Sequence, residues 1–424
     1  MKKVFCYILS LLLLLPLFSA CGKSSSDTSS VLIAKIDDRE LYLDEFLEGL
    51  DYWLYYYGID ITDSTSESYV DLIAERHFQS LVLSEVVLIK GEELGFFDLS
   101  EEENAEVENS VSEEMESAKS SIKATVVSEN PDATDSEIEM LINVEMIKQG
   151  YIEEELIDTY TEAIIYDKVY EYYTKDMTLT EEDIQKEYDS LVESAKETYE
   201  TDPSSFESDY LYGETIYYKP AGFRRVKHIL IAFDSDTSTE IANLVEAGDT
   251  EALNSGLEEA LAGIRDEAQE VLDSIQSGAA TFDDLMSDLS DDTTGLSYYP
   301  DGYVLNIDST SYDANFVEAA FALKNPGDIS GLIGTTSGYH ILRLEEELAE
   351  GVAIYDDVKE SIATDLLSTK KDDAFYDLVL GWESDMVVKT YPEKYEAYLE
   401  EYYANAETSQ SPDTLESAEA SASS

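Results

Sequence analysis

Arg225-Val226-Lys227-His228-Ile229-Leu230-Ile231 and, more than a hundred residues later, Gly338-Tyr339-His340-Ile341-Leu342-Arg343-Leu344 are the two runs whose reading decides the fold of this chain. Each is rich in β-branched and aliphatic residues over the length of a strand, and each carries one histidine in the same His-Ile-Leu setting. The chain of 424 residues holds only three histidines, so two in matching contexts single these strands out. Side chains two apart on a strand point to the same face, so Leu230 and Leu342 accompany their histidines and both imidazoles can line one floor.

Between the two runs the sequence reads as a polar, glycine-punctuated helix from about 238 to 261 and a second helix from Arg265 to Ser277, stopped by Gly278. Thr281 to Met286, the run Leu289-Ser290-Asp291-Asp292 and a loop to Gly302 follow. A short helix from Phe316 to Leu323, a turn at Asn325-Pro326-Gly327-Asp328 and a strand from Ile329 to Ile333 complete the segment. Strand, helices, strand, turn, strand is an α+β pattern.

Upstream, Val31 to Ile36 reads as a strand, and Leu43, Phe46, Leu47, Leu50, Trp53, Leu54 and Tyr57 recur at helical spacing until Gly58. A second apolar helix runs from about 70 to 94 and contains His77; a lone histidine on an apolar face is a packed residue and receives no role. Ser100 with Glu103, Thr134 with Glu137 and Thr180 with Asp183 carry the capping-box spacing that starts helices. The acidic stretch 100–128 reads as an exposed helix, and 140–173 as a more strongly amphipathic region. A proline-bearing, tyrosine-rich loop at 202–222 is the expected domain boundary. Beyond Glu347 helical periodicity returns at Val358, Ile362, Leu366, Phe375, Leu378, Val379 and Trp382, a last aromatic helix covers about 392–403, and 404–424 reads as a disordered acidic tail.

With 94 acidic against 26 basic residues the formal charge is −68, which speaks against nucleic-acid or anionic-lipid surfaces, because phosphate binding needs clustered Lys and Arg. The charge reads first as a solvated, non-adhesive surface. Lys2 and Lys3, the apolar run Val4 to Leu17 and small residues before Cys21 make residues 1–20 an export signal too short to span a membrane stably. Leu17-Phe18-Ser19-Ala20-Cys21 resembles a bacterial lipobox, which implies cleavage before Cys21, diacylation of its thiol and a flexible tether over 21–30. Cys6 leaves with the signal, so the mature chain has no thiol to pair, and loss of Lys2 and Lys3 takes the charge from −68 to −70.

Several motifs, in order, resemble the parvulin-type peptidyl-prolyl cis-trans isomerase family. They are Val226 to Ile231, Thr281-Phe282-Asp283-Asp284-Leu285, Ser290-Asp291-Asp292, Phe316 to Leu323, Gly327-Asp328-Ile329-Ser330 and Thr335-Thr336-Ser337-Gly338-Tyr339-His340-Ile341. The likeness covers about 223–347 and implies an α+β domain, a small antiparallel sheet with surrounding helices, inserted between the flanking segments. The flanks, 31–222 and 348–403, are similar to extracytoplasmic foldases of the PrsA/SurA type, in which a mainly helical chaperone module is built from segments on both sides of the isomerase domain. The resemblance implies that His228, Asp292 and His340 form the hydrogen-bonded catalytic network, with Thr335 as its supporting hydroxyl. It also implies a substrate pocket of Phe316, Leu296 and Val304, with Ser337 against the substrate backbone, whereas Phe321 is read as core. Aspartate at 292 suits a charge that fixes histidine tautomers better than a nucleophile.

Two departures from the family pattern stand out: the helix at 238–261 is an insertion in the first crossover, and the loop between Asp292 and Leu296 is short and lacks the usual Gly-Gly pair. Asp234 and Asp236 follow the first histidine strand where a phosphate-binding basic pair would be needed, which disfavours a phosphoserine-proline preference. The implied partners are unfolded or partly folded secreted polypeptides with X-Pro bonds, the membrane through the lipid anchor, and a second copy of the chain in a candidate homodimer. Neither a cofactor nor a metal is called for. The expected location is the outer face of a bacterial membrane, in a Gram-positive setting. A second reading is a holdase lipoprotein with a weak or inactive isomerase domain. A third, a transporter's solute-binding lipoprotein, requires two α/β lobes that the helix-dominated flanks do not supply.

Overall fold

A computed structural model of the chain describes residues 28–59 and 66–409. The expected export signal, Cys21 and residues beyond Ser409 lie outside them. The chain divides into two compact units, one holding the residues up to Thr178 together with those from Leu367 onward, the other Leu179–Leu366. Among the described residues no helix is long and apolar enough to cross a membrane.

The first unit opens with strands β1 (Leu32–Ile36) and β2 (Arg39–Tyr42), paired antiparallel. Helices α1 (Leu43–Tyr56), α2 (Glu67–Glu93), α3 (Glu101–Glu129), α4 (Asp135–Lys148) and α5 (Glu153–Thr174) follow. Capping boxes start α3 at Ser100 and α4 at Thr134. Helix α3, expected to be exposed, buries Val107, Val111, Ala118, Ile122 and Val126, partly against Ile142 and Met146 of α4. A few apolar residues at helical spacing suffice for a packed stripe when most of the remaining surface is charged or polar. His77 on α2 is enclosed: its Nε2 lies 3.0 Å from the Phe46 carbonyl and its ring 5.3 Å from the Phe46 ring.

The second unit begins with α6 (Glu181–Thr201) and α7 (Pro203–Leu211), then β3 (Tyr218–Lys219) and β4 (Arg224–Ala232). The capping box at Thr180 starts α6. The region expected as one helix over 238–261 and another over 265–277 is instead α8 (Ser235–Ala247) and a continuous α9 (Thr250–Gln276). Gly248 ends α8 in the left-handed region at φ 68°, and the Asp249 carboxylate caps α9. Helices α10 (Phe282–Leu289) and α11 (Thr293–Tyr298), strand β5 (Tyr303–Leu305) and helix α12 (Ala314–Ala322) lead to the hairpin of β6 (Ile333–Thr335) and β7 (Gly338–Glu347). Ile329, expected in a strand, makes only an isolated bridge to Arg343. Strand β8 (Gly351–Val352) pairs with β3, and helix α13 (Tyr355–Asp385) carries the chain back into the first unit.

There, β9 (Val388–Thr390) adds to β1, giving the order β2-β1-β9, and α14 (Pro392–Ser409) ends the described chain. The helix runs past residue 404, where the tail was expected to begin; no proline or glycine interrupts the segment before Pro412.

The main sheet of the second unit has the order β5-β4-β7-β6 and is antiparallel throughout. Its alternation separates two cores: Ile229, Ile231, Tyr339 and Ile341 pack with Ala268, Val271 and Leu272 of α9, while Val226, Leu305, Leu342 and Leu344 pack with Phe316 and Ala320 of α12. Gly338 turns the β6–β7 hairpin at φ 138°, where a side chain would strike the Ile231 backbone.

The edges expected at 222/223 and 347/348 fall inside this unit. Tyr199 of α6 and Phe206 of α7 share a core with Phe223, Val304 and Leu348, and Ile184 and Tyr188 pack with Ile362 of α13. The tyrosine-rich segment before β4 is therefore attached to the sheet through buried aromatic rings.

Candidate active site

In β4 and β7, Leu230 pairs with His340 and His228 with Leu342, so the two histidines are diagonal neighbours on the α12 face of the sheet. Both imidazoles are buried, at 9% and 8% exposure, and their Nδ1 atoms are 3.0 Å apart. After α10 the chain runs along β4: the Asp291 N–H donates to the Leu230 carbonyl at 2.9 Å, and the Asp291 carboxylate accepts from the Ala232 N–H at 2.8 Å. That docking delivers the next residue, Asp292, to His228, whose Nε2 is 2.9 Å from Asp292 Oδ2. At the other end, Thr335 Oγ1 lies 2.9 Å from His340 Nε2 and accepts from the Ser337 N–H at 3.1 Å.

The proton positions follow from the acceptor at one end. Burial works against the Asp292 charge, but hydrogen bonds from His228, Tyr303 and the Gly295 N–H outweigh it and hold the carboxyl well below the ordinary range. An ionised Asp292 can only accept, so His228 presents an N–H at Nε2, and a singly protonated ring then offers its lone pair at Nδ1. His340 then donates from Nδ1 and accepts at Nε2 from the Thr335 hydroxyl. Burial, with the neighbouring His228 adding to it, lowers the His340 pKa from 6.5 to about 3, which keeps the ring neutral. Asp292, His228, His340 and Thr335 are thus joined in one chain of consistent polarity.

Helix α12 brings the aromatic cover. Its first turn is capped by the Asp313 carboxylate, which accepts from the Asn315 N–H at 2.8 Å, and Asn315 Nδ2 donates to the Gly334 carbonyl of β6 at 2.9 Å. At its C-terminus the Arg224 guanidinium donates to the carbonyls of Ala320 at 3.1 Å and Leu323 at 2.8 Å and lies over the Phe321 ring. Held at both ends, the helix sets Phe316 edge-on to both imidazoles, 5.4 Å from His228 and 5.3 Å from His340. Phe321, read as core, packs at the edge of this apolar cluster.

The other expected residues separate. Leu296 lines a cavity of about 20 Å³ beside His228 and Asp292. Ser337 is exposed on the hairpin after Thr335. Val304 is not at the site: it is fully buried with Tyr199, Phe206 and Phe223 on the opposite face of β5. The pairing explains this, since Val226 lies opposite Tyr303 and Arg225 opposite Val304, so Tyr303 shares the histidine face and Val304 cannot.

Two site tyrosines escaped the sequence reading. The Tyr303 hydroxyl donates to Asp292 Oδ2 at 2.7 Å. Tyr312 stacks on Phe316 at 5.7 Å and donates to the Val304 carbonyl at 3.1 Å. The turn leading to Tyr312 is held from α7, where the buried Glu207 carboxylate accepts from the Ser309 hydroxyl and, at 3.4 Å, from the Asn306 N–H. Strand alternation from His228 through the β4–β5 register points to Tyr303, whereas Tyr312 precedes the Asp313 cap of α12 and carries no local signal.

A family model described as the Rotamase, PPIC-type PPIASE domain matches residues 228–346. Among curated relatives, the foldase protein PrsA of Clostridium botulinum strain Langeland is 25% identical over 314 residues, covering 74% of this chain and 72% of that one. PrsA of Clostridium perfringens strain ATCC 13124 is 25% identical over 320 residues, with the same coverage of 74% and 72%. A solved peptidylprolyl isomerase structure, PrsA from Bacillus anthracis, is 18% identical and covers 72% of this chain and 94% of its own, at a TM-score of 0.20, too low to carry an argument. Residues 228–346 therefore belong to the PPIC-type peptidyl-prolyl isomerase domain family, within a chain similar over 74% of its length to the foldase PrsA.

Proposed function

We propose that the protein is a foldase that catalyses cis-trans exchange of X-Pro bonds in unfolded or partly folded exported polypeptides, by a non-covalent route through His228, Asp292 and His340. The observation that carries the reading is the unbroken hydrogen-bonded chain from Asp292 to Thr335 beneath the Phe316 ring. The C–N bond of the amide resists rotation by about 18 to 20 kcal/mol because resonance gives it double-bond character. The planar amide is the more charge-separated form, so taking it out of water weakens that resonance and favours the twisted state. Phe316 and Tyr312 supply an apolar surface for the proline ring, and the hydrogen-bonded imidazoles supply a fixed polar floor that need not reorganise as the bond turns. No bond is made or broken, and no proton need leave the site.

The lipobox-like run supports attachment through Cys21 on the outer face of the cytoplasmic membrane, with the folded body beyond a short tether. A groove of about 980 Å³ in the first unit, with Phe78, Leu83 and Tyr395 in its floor and Glu75, Glu383 and Glu396 at its edge, supports a client-holding surface as well.

The deciding experiment measures cis-to-trans exchange in a short unphosphorylated X-Pro peptide with the mature protein. Acceleration that is lost in His228→Ala and Asp292→Ala is the expected result. A wild type that gives no acceleration while still suppressing aggregation of a denatured client overturns the isomerase reading.

A further inference from the structure

Tyr303 has no place in the motif set that marks the site, yet its hydroxyl is one of three donors to Asp292. It reaches Oδ2 at 2.7 Å, the oxygen that also takes the His228 Nε2 proton at 2.9 Å, while the Gly295 N–H donates to Oδ1 at 2.9 Å. The surroundings are built around this contact. Asp292 caps α11 through the same Gly295 N–H, and a Cβ on Gly295 would collide with the Asp292 carboxylate and come within 2.5 Å of the Tyr303 hydroxyl. The Tyr303 ring is tilted against His228 at 5.3 Å and held between Tyr299 at 5.6 Å and Tyr312 at 6.0 Å, so the hydroxyl has little freedom to turn elsewhere.

A carboxylate at this position could, in principle, be protonated or swing away, and either change would release the polarity of both imidazoles. We propose that Tyr303 is a positioning residue that locks Asp292 as a fixed anion, and through it holds His228 and His340 each in a single tautomer. Its phenol donates and never accepts here, because the carboxylate beside it has no proton to give. Burial and the hydrogen bond to Asp292 both push the phenol's own ionisation upward, so it stays a donor across the working pH range. The link to catalysis rests on the isomerase reading above, whereas the tautomer lock does not.

The test is Tyr303→Phe in the full mature chain, which removes one oxygen and keeps the ring. Long-range ¹⁵N–¹H NMR of the imidazoles should show, in the wild type, His228 protonated only at Nε2 and His340 only at Nδ1, and in the variant averaged shifts for both rings. Exchange in an X-Pro peptide should fall about tenfold in kcat/KM, the size expected for a lost hydrogen bond to a charged group. The acid limb of its pH profile should move upward, because Asp292 becomes easier to protonate. A folded variant with unchanged tautomers overturns the lock, and altered tautomers with an unchanged rate overturn its link to catalysis. If the wild type shows no isomerase activity, the isomerase reading fails and the tautomer measurement still decides the lock. If the variant does not fold, the wild type still decides the matter: a slowly exchanging Tyr303 hydroxyl proton close to His228 supports the lock, and a freely exchanging one overturns it.

Discussion

His228 and His340 meet Nδ1 to Nδ1 at 3.0 Å, and only one of the two atoms can carry the proton between them. Asp292 settles which one, because an anion at His228 Nε2 demands the proton there. Asp292→Asn keeps the shape but offers an amide whose carbonyl binds more weakly. It should leave the fold intact and lower the exchange rate on an X-Pro peptide by about fivefold or more, since a hydrogen bond to a charged group exceeds a neutral one by about 1 kcal/mol or more. An Asp292→Asn protein with the wild-type rate would remove the charge from the mechanism.

Thr335 is 1% exposed and supplies the donor to His340 Nε2. Thr335→Val should cost about 1 to 3 kcal/mol in urea unfolding, because it leaves a buried acceptor and the Ser337 N–H without their partner. Thr335→Ser, which keeps the hydroxyl, should recover most of that loss.

Val304 and Phe316 can be told apart by what they disturb. Val304→Ala should destabilise the protein by about 2 kcal/mol through a cavity against Tyr199 and Phe206, with kcat/KM per folded molecule unchanged. Phe316→Ala should lower kcat/KM as well as stability. A raised KM in Val304→Ala would return that residue to the pocket.

Gly49 lies against the His77 ring, where a Cβ would overlap the imidazole. Gly49→Ala should cost about 1 to 3 kcal/mol by overpacking, read as a lowered midpoint of denaturant unfolding. Wild-type stability in Gly49→Ala would show that His77 is free to move.

Burial, only partly offset by the hydrogen bond to the Phe46 carbonyl, lowers the His77 pKa from 6.5 to about 4. Between those values the unfolded chain takes up a proton that the folded chain refuses, so stability falls as pH drops from 6.5 towards 4 and recovers as pH rises. The shift corresponds to about 3 kcal/mol. Comparing wild type with His77→Phe isolates it: the variant's unfolding free energy should depend less steeply on pH across this window, and equal slopes would refute the assignment.

Much of the site could be read along the chain because its main members lie in local patterns. The two histidine strands show themselves by aliphatic runs, whereas Asp292 is identified through the likeness of Ser290-Asp291-Asp292 to the parvulin pattern. The capping boxes at Ser100, Thr134 and Thr180 depend on contacts three residues apart, and all three are formed. What could not be read is what depends on pairing across the chain. The resemblance puts Val304 in the pocket and leaves Tyr303 aside; a three-residue strand has no alternation of its own to correct this, and the choice of face comes from its register on β4.

By itself, then, the sequence determined most of the long helices, the two histidine strands and the histidines they carry, through periodicity and capping that act over a few residues, while Asp292 came from the likeness to the parvulin pattern. Only the tertiary structure decided that α6 and α7 join the histidine-bearing unit, that Tyr303 reaches Asp292, and that the relay has one polarity. Those outcomes depend on burial and on hydrogen bonds between residues far apart in the chain, where the identity of a neighbour is fixed by packing and leaves no local trace.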